Sequence, residues 1–258
     1  MQAAILPLSA GWYWITQGYA LFRRQPLAMF FWSMLTSLLI MISYLIPLIG
    51  QIVLIIFTPL LTFLTLCACR KIDTGIRMMP GMWLLPLREQ GVKRRLVRLG
   101  LAYLASSFIG ALIATLPFVN SLMGAIDPAG GQIDYATVSA AMRGPLITFG
   151  ILYVLISALF WHAPALIGWH RIGMTQALFF SMVACWRNKW GFLLYALSWA
   201  AIFYGLGAAG DFLVAAGAGV GLVQWITIPV NVLAAAVLYC SFYPAYMTIF
   251  EPQAKAAG

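Results

Sequence analysis

Charge is what this sequence has least of. Of its 258 residues 8% are charged and six are acidic, whereas about a quarter of an ordinary soluble chain is charged. So few charges cannot cover a water-facing surface, and a soluble globular class is excluded. The six carboxylates are scattered singly, and no Walker-type glycine loop, His-Glu-x-x-His or Gly-x-Ser-x-Gly pattern occurs. Acid–base and metal chemistry are therefore disfavoured: we expect a non-enzymatic protein and assign no catalytic, cofactor-binding or metal-ligating residue. Cysteine is scarce as well. Cys67, Cys69, Cys185 and Cys240 fall in or beside apolar segments, which predicts free thiols, and Cys67-x-Cys69 is too tightly spaced and too far from histidine for a zinc site. The first 22 residues show neither a basic start nor a small-residue cleavage pattern, so the first apolar span is expected to direct insertion itself.

What is present is grease. The composition is 63% hydrophobic and the mean hydropathy +0.94. Apolar runs cover residues 27–49, 51–69, 99–119, 145–168, 190–210 and 220–247, each long enough to cross about 30 Å of hydrocarbon as a helix. The runs lack the alternation that a lipid-facing strand requires. These features predict a single integral membrane domain over 1–258, an all-α membrane protein whose six transmembrane helices form three hairpins. Pro47 and Gly50 suit a tight turn in the first hairpin. The stretch 120–144 reads as an outer loop, with turns at Asp127-Pro128 and Gly130-Gly131 and a short helix from Asp134 through Met142.

The net charge of +9 would suit nucleic acid in a soluble protein. Here the cations sort by side. With the amino terminus inside, fourteen of the fifteen Lys and Arg residues fall in inner segments, Lys255 among them, and Arg143 alone in an outer one. That split predicts a bacterial inner-membrane protein with both termini cytoplasmic.

The inner segments share a form. "GWYWITQGYALFRRQP" places Trp12, Ile15, Tyr19 and Phe22 at helical spacing before Arg23 and Arg24, giving an interfacial amphipathic helix at about 9–24. In "MWLLPLREQGVKRRLVRLG", Leu85, Val92, Leu96 and Leu99 share a face, with Lys93, Arg94, Arg95 and Arg98 around the other side; "GMTQALFFSMVACWRNKWG" sets Arg187 and Lys189 in the corresponding place. Each hairpin is thus expected to follow an interfacial amphipathic helix lying on the inner leaflet, apolar face to lipid and cations to anionic headgroups. "LFRRQPLAMFF" matched against "CWRNKWGFLLY" suggests a threefold repeat. Arg24 to Arg94 spans 70 residues and Arg94 to Arg187 spans 93, the surplus being close to the outer loop's length. The candidate headgroup contacts are Arg23, Arg24, Lys93, Arg94, Arg95, Arg98, Arg187 and Lys189. The lipid bilayer is the expected partner, a membrane protein or second copy the alternative, and nucleic acid is not expected because the apolar face leaves no aromatic reader beside the charge.

Ionisable groups inside spans are costly and mark candidate sites. His162 in "FWHAPAL" qualifies, His170 and Asp211 less so. Gln224 and Asn231, seven residues apart on one face of the last span, complete a candidate intramembrane polar site. That site would serve the alternative reading, a small-solute or lipid transporter or channel. Packing through amide hydrogen bonds and Gly217-xxx-Gly221 explains the same residues without transport.

The succession "LFRRQPLAMFF" then "IPLIGQIVLIIFTPLLTFLTLCACRKIDTG" resembles a family of uncharacterised bacterial inner-membrane proteins of about this length. More distantly, the helix-plus-hairpin plan resembles membrane regions joined to glycerophosphodiester phosphodiesterases. The resemblance implies location and fold; with no phosphodiesterase domain present, it implies no such activity.

Overall fold

The structure, a computed structural model, describes residues 3–126 and 135–251. The turns expected at Asp127-Pro128 and Gly130-Gly131, the Asp134 cap and Lys255 lie outside the described residues. No strand occurs among the described residues. Six helical stretches, 26–45, 49–73, 92–125, 135–170, 189–215 and 220–250, are long and apolar enough to cross a membrane.

Helix α1 (Ala10–Arg24) precedes α2 (Pro26–Leu45) and α3 (Ile49–Asp73), which pack on each other after a short turn. In that turn Leu48, at φ 65°, takes the positive φ. Gly50 lies inside α3, where a Cβ would meet the Ser43 carbonyl. Two 3₁₀ turns, Pro80–Met82 and Leu85–Arg88, lead into α4 (Val92–Thr115). A further 3₁₀ turn and α5 (Val119–Ile126) follow, then α6 (Tyr135–Phe160) and α7 (Ala163–His170). The described residues end with α8 (Met174–Arg187), α9 (Lys189–Ala215) and α10 (Val220–Phe250). The stretch expected as an outer loop is helical on both sides of its undescribed part: α5 precedes it, and α6 starts ahead of Pro145, which is tolerated within that helix.

Two expectations about the amphipathic segments are corrected. In the second segment Pro80 and Pro86 confine the chain to 3₁₀ turns, and Gly91, at φ 78°, resets it. No separate helix forms there, and "VKRRLVRLG" supplies the first turns of α4 itself. Val92, Leu96 and Leu99 are fully buried in the main apolar cluster, where α4 packs on α3 and α7. Their face meets protein, not lipid, while Leu85 is exposed. The first segment is a helix, but its buried face is Trp14, Ile15, Gly18, Leu21 and Phe22, docked between α9 and α10. Trp12 and Tyr19, expected on the same face as Ile15 and Phe22, stand exposed.

Close approach at glycine sets these contacts. A Cβ on Gly100 would strike the Ile56 carbonyl of α3, and one on Gly18 would strike Ser241 of α10. Gly150 in α6 has open space where its Cβ would go. The four cysteines are free and buried.

Gly100→Ala should force α3 and α4 apart and lower stability by about 1–3 kcal/mol, read as a fall in thermal midpoint in mild detergent; Gly150→Ala, tested alongside, should cause no loss. On α8, burial pushes the Cys185 thiol up to about 12, so it should resist maleimide at pH 8 in the folded protein and react once detergent denatures it.

Candidate functional site

The cation-bearing ends of α1, α3, α4, α8 and α9 meet at one end of the bundle together with Arg171, which follows α7, tied by contacts between elements. Arg24 pairs with Asp73 at 3.1 Å, and Tyr243 of α10 donates to the same carboxylate at 3.3 Å. Arg171 lies 3.5 Å from Glu89, and Arg95 donates to the Arg171 carbonyl at 3.4 Å. His170 meets the Tyr246 hydroxyl at 2.8 Å, and Arg187 reaches the Ala3 carbonyl at 3.3 Å. Arg143 sits exposed near the far end, beside Gly144, which packs on Phe118.

Around this end the cations alternate with aromatics. Arg23, Arg24, Lys93, Arg94, Arg98, Arg187 and Lys189 are exposed, Arg95 partly so. Lys189 stands over the rings of Trp186 and Trp190 at 4.8 and 5.8 Å, Arg23 over Tyr19 at 5.9 Å, and Arg70 over Trp169 at 5.0 Å. Trp186 and Trp190 are themselves exposed. Rings with one wet edge beside long cationic stems are the side chains that favour a membrane–water boundary.

Two residues that sequence reasoning passed over organise this end. At the C-terminus of α1, Gln25 donates to the Ile76 carbonyl and accepts from the Met78 amide, both at 2.8 Å. At the C-terminus of α8, Asn188 donates to the Ala4 carbonyl at 2.9 Å and accepts from the Leu6 amide at 2.8 Å. Each carboxamide brackets alternate residues of an extended segment, satisfying backbone groups that no helix or strand pairs. Gln25 therefore corresponds to Asn188, one residue out of register with the ungapped match, which set Arg24 over Asn188. The single hint in the sequence is an amide directly after arginine at both places.

The fourth span is broken between α6 and α7. Pro164 opens α7, and the Ser181 hydroxyl of α8 inserts into the gap, donating to the Ala158 carbonyl at 2.8 Å and accepting from the His162 amide at 3.0 Å. That carbonyl and amide are the i, i+4 partners an unbroken helix would join, so the serine replaces one rung of the ladder. His162 is 2% exposed, its ring among Phe192, Tyr246 and Phe250 with centroids 5.3–5.8 Å away. Its Nε2 has no hydrogen-bond partner. The residue borders a cleft of about 280 Å³ between α3, α4, α6 and α10, shared with Tyr103 and Tyr153, whose hydroxyls meet at 2.9 Å.

Gln224 and Asn231 do not join it. Gln224 is exposed, and Asn231 donates to the Thr227 carbonyl of its own helix at 2.8 Å. His162 packs on the opposite end of α10, so the three-residue polar site is not assembled. Asp211 lies in α9, which continues to Ala215, and is exposed.

Six long apolar helices, with cations and boundary aromatics gathered at one end, define a multi-pass helical membrane protein. A protein of Burkholderia thailandensis described as a probable inner membrane protein is 31% identical over 264 residues, spanning 100% of this chain and 97% of its own. The chain belongs to that family of inner-membrane proteins. No family model matches the chain, and no solved structure does.

Replacing Asn188 by Ala strands the Ala4 carbonyl and Leu6 amide beside a buried position. Loss of about 1–3 kcal/mol is expected, with earlier protease cleavage within the first ten residues of the chain; Gln25→Ala, at a half-buried site, should cost less on the same thermal assay.

Proposed function

We propose that this is a non-catalytic inner-membrane protein with both termini cytoplasmic, whose basic end holds anionic phospholipid headgroups. One observation carries the reading: the cations converge on a single end of the bundle, exposed, interleaved with exposed tryptophan and tyrosine. Each Lys or Arg near an anionic leaflet contributes on the order of 1 kcal/mol, so a ring of them makes contact with acidic lipid favourable even where each side chain is weakly held. The burial of Val92, Leu96 and Leu99 supports this in a form different from a helix floating on the surface. Because α4 is anchored in the core, Lys93, Arg94 and Arg98 are presented from a fixed scaffold.

A second reading, passage of a small solute or lipid through the bundle, has the cleft beside His162 in its favour. The polar side chains that line it, among them Thr58, Thr62, Tyr103, Tyr153, Ser157, His162 and Tyr239, do not include Asn231 or Gln224, so the polar set expected for transport is not assembled among the described residues. The first reading is the stronger one.

In nanodiscs mixing phosphatidylglycerol and phosphatidylcholine, the protein should enrich the acidic lipid around itself, and Arg94→Glu with Lys93→Glu and Arg98→Glu should reduce that enrichment severalfold; unchanged lipid retention in native mass spectra would refute headgroup binding. Orientation is tested separately by Gln90→Cys, an exposed position in a chain whose own thiols are buried. An impermeant maleimide should label it in inverted vesicles and leave it untouched in intact spheroplasts.

A further inference from the structure

The two junctions bracketed by Gln25 and Asn188 are built alike but finished differently. Beyond Asn188 the extended segment runs into α1, fifteen residues long, which covers α9 closely: a Cβ on Gly11 would strike the Gly191 carbonyl. Trp14 is there fully buried, 4.8 Å from Phe192 and 5.9 Å from Tyr195. Beyond Gln25 the extended segment runs into two 3₁₀ turns of three and four residues. Trp83 stacks on Trp32 at 4.3 Å and 9°, yet a Cβ on Gly81 would meet nothing within 4 Å. The face of α2 that a helix would cover is left open. The result is a groove of about 910 Å³, within the size range of small-molecule sites.

The groove has two distinct ends. Arg24 and Arg77 stand at its wet end; Leu27, Phe31 and Leu35 of α2 face Trp83 and Leu84 along the rest. Leu27 and Phe31 are exposed to 71% and 57%, a large uncovered apolar surface. The Gln25 bracket grips residues 76 and 78 and so fixes Arg77 between them. Arg77 has no hydrogen bond or ion pair among the described residues. Arg24 engages Asp73 through Nη1, which leaves donors on its other nitrogens. Two guanidinium groups against one carboxylate leave a net positive mouth above an apolar trough.

We propose that this groove is a discrete site for one anionic phospholipid, its phosphate between Arg24 and Arg77 and one acyl chain along Leu27, Phe31 and Leu35 against Trp83. The guanidinium fork suits a phosphate's oxygens, and the chain replaces the apolar cover that α1 provides at the matching junction. The assignment rests on the reading of the basic end for its ligand class, but it adds Arg77 and the apolar trough to Arg24 and sets a stoichiometry of one.

The full-length protein in mild detergent, titrated with phosphatidylglycerol and read by native mass spectrometry, tests it. Wild type should keep one phosphatidylglycerol under collisional activation that strips the others, and phosphatidylcholine should not take its place. Arg77→Glu should weaken that one lipid about tenfold or more, and Leu35→Trp, which fills the trough, should expel it; thermal midpoints establish that both variants are folded. The combined Lys93, Arg94 and Arg98 charge reversal should leave it bound. Retention in either folded groove variant overturns the site, as does equal retention of phosphatidylcholine or displacement by millimolar glycerol phosphate, which would mark a soluble-anion pocket. If the reversal at 93, 94 and 98 changes no lipid while Arg77→Glu does, the general reading fails and the groove stands.

Discussion

A backbone amide or carbonyl removed from water must find its partner in the protein, and that constraint is met by side chains at three irregular points among the described residues. Regular helix solves it for most of the chain. At the break before α7 the solution is the Ser181 hydroxyl, which stands in for one missing rung. In the connection after α3 and in the segment before α1 it is a carboxamide, Gln25 or Asn188, gripping an extended segment through its carbonyl and amide at once. Without these side chains the same bends would leave unpaired polar groups beside lipid or in the core.

The brackets also explain how the ends of the chain are arranged. Asn188 holds residues 4 and 6, and the Ala4 amide donates to the Ile249 carbonyl at 2.9 Å. The beginning and the end of the described chain are thereby joined, with α1 seated against α10. Gln25 makes the same grip on the segment after α3. Between them, Glu89 and Arg95 reach Arg171, at the start of the extended segment before α8. Three junctions, each using a polar side chain near the start of one helical pair to hold the segment leading to the next element, give the arrangement its cyclic character.

Much of this was legible in the sequence, and the part that was not has a physical cause. Spans are legible because hydrocarbon demands about twenty apolar residues and little else. The sidedness of Arg23, Arg24, Lys93, Arg94, Arg98, Arg187 and Lys189 is legible because a cation must stay wet. Amphipathic periodicity was less informative. It locates an apolar face without saying whether lipid or protein covers it, and for Val92, Leu96 and Leu99 the cover is α3 and α7. Pro80, Pro86 and Gly91 carried the missing signal, since each disfavours helix and together they leave only short uninterrupted stretches between them. Polar residues were harder still. Gln224 and Asn231 look like His162 by composition, but only tertiary structure separates an exposed amide, a residue bonded to its own helix and a histidine sealed in aromatic rings. Ser181, the residue that reshapes the fourth span, is one small polar side chain among many.

The inequality among the three junctions is the feature with the most consequence. A repeated plan would be closed most simply by three equal amphipathic helices, each covering the helical pair before it. Here α1 and α8 are helices of fifteen and fourteen residues, while the middle element is reduced to 3₁₀ turns by two prolines. Short 3₁₀ turns bury little, and what they leave uncovered on α2 is apolar, so water is a poor occupant and the surrounding membrane supplies a better one. The same shortening lets the cationic turns of α4 begin right after Gly91 instead of standing apart as a surface helix. One local loss of helix thus does two things: it opens a trough on one side of the junction and fixes a row of cations to the core on the other.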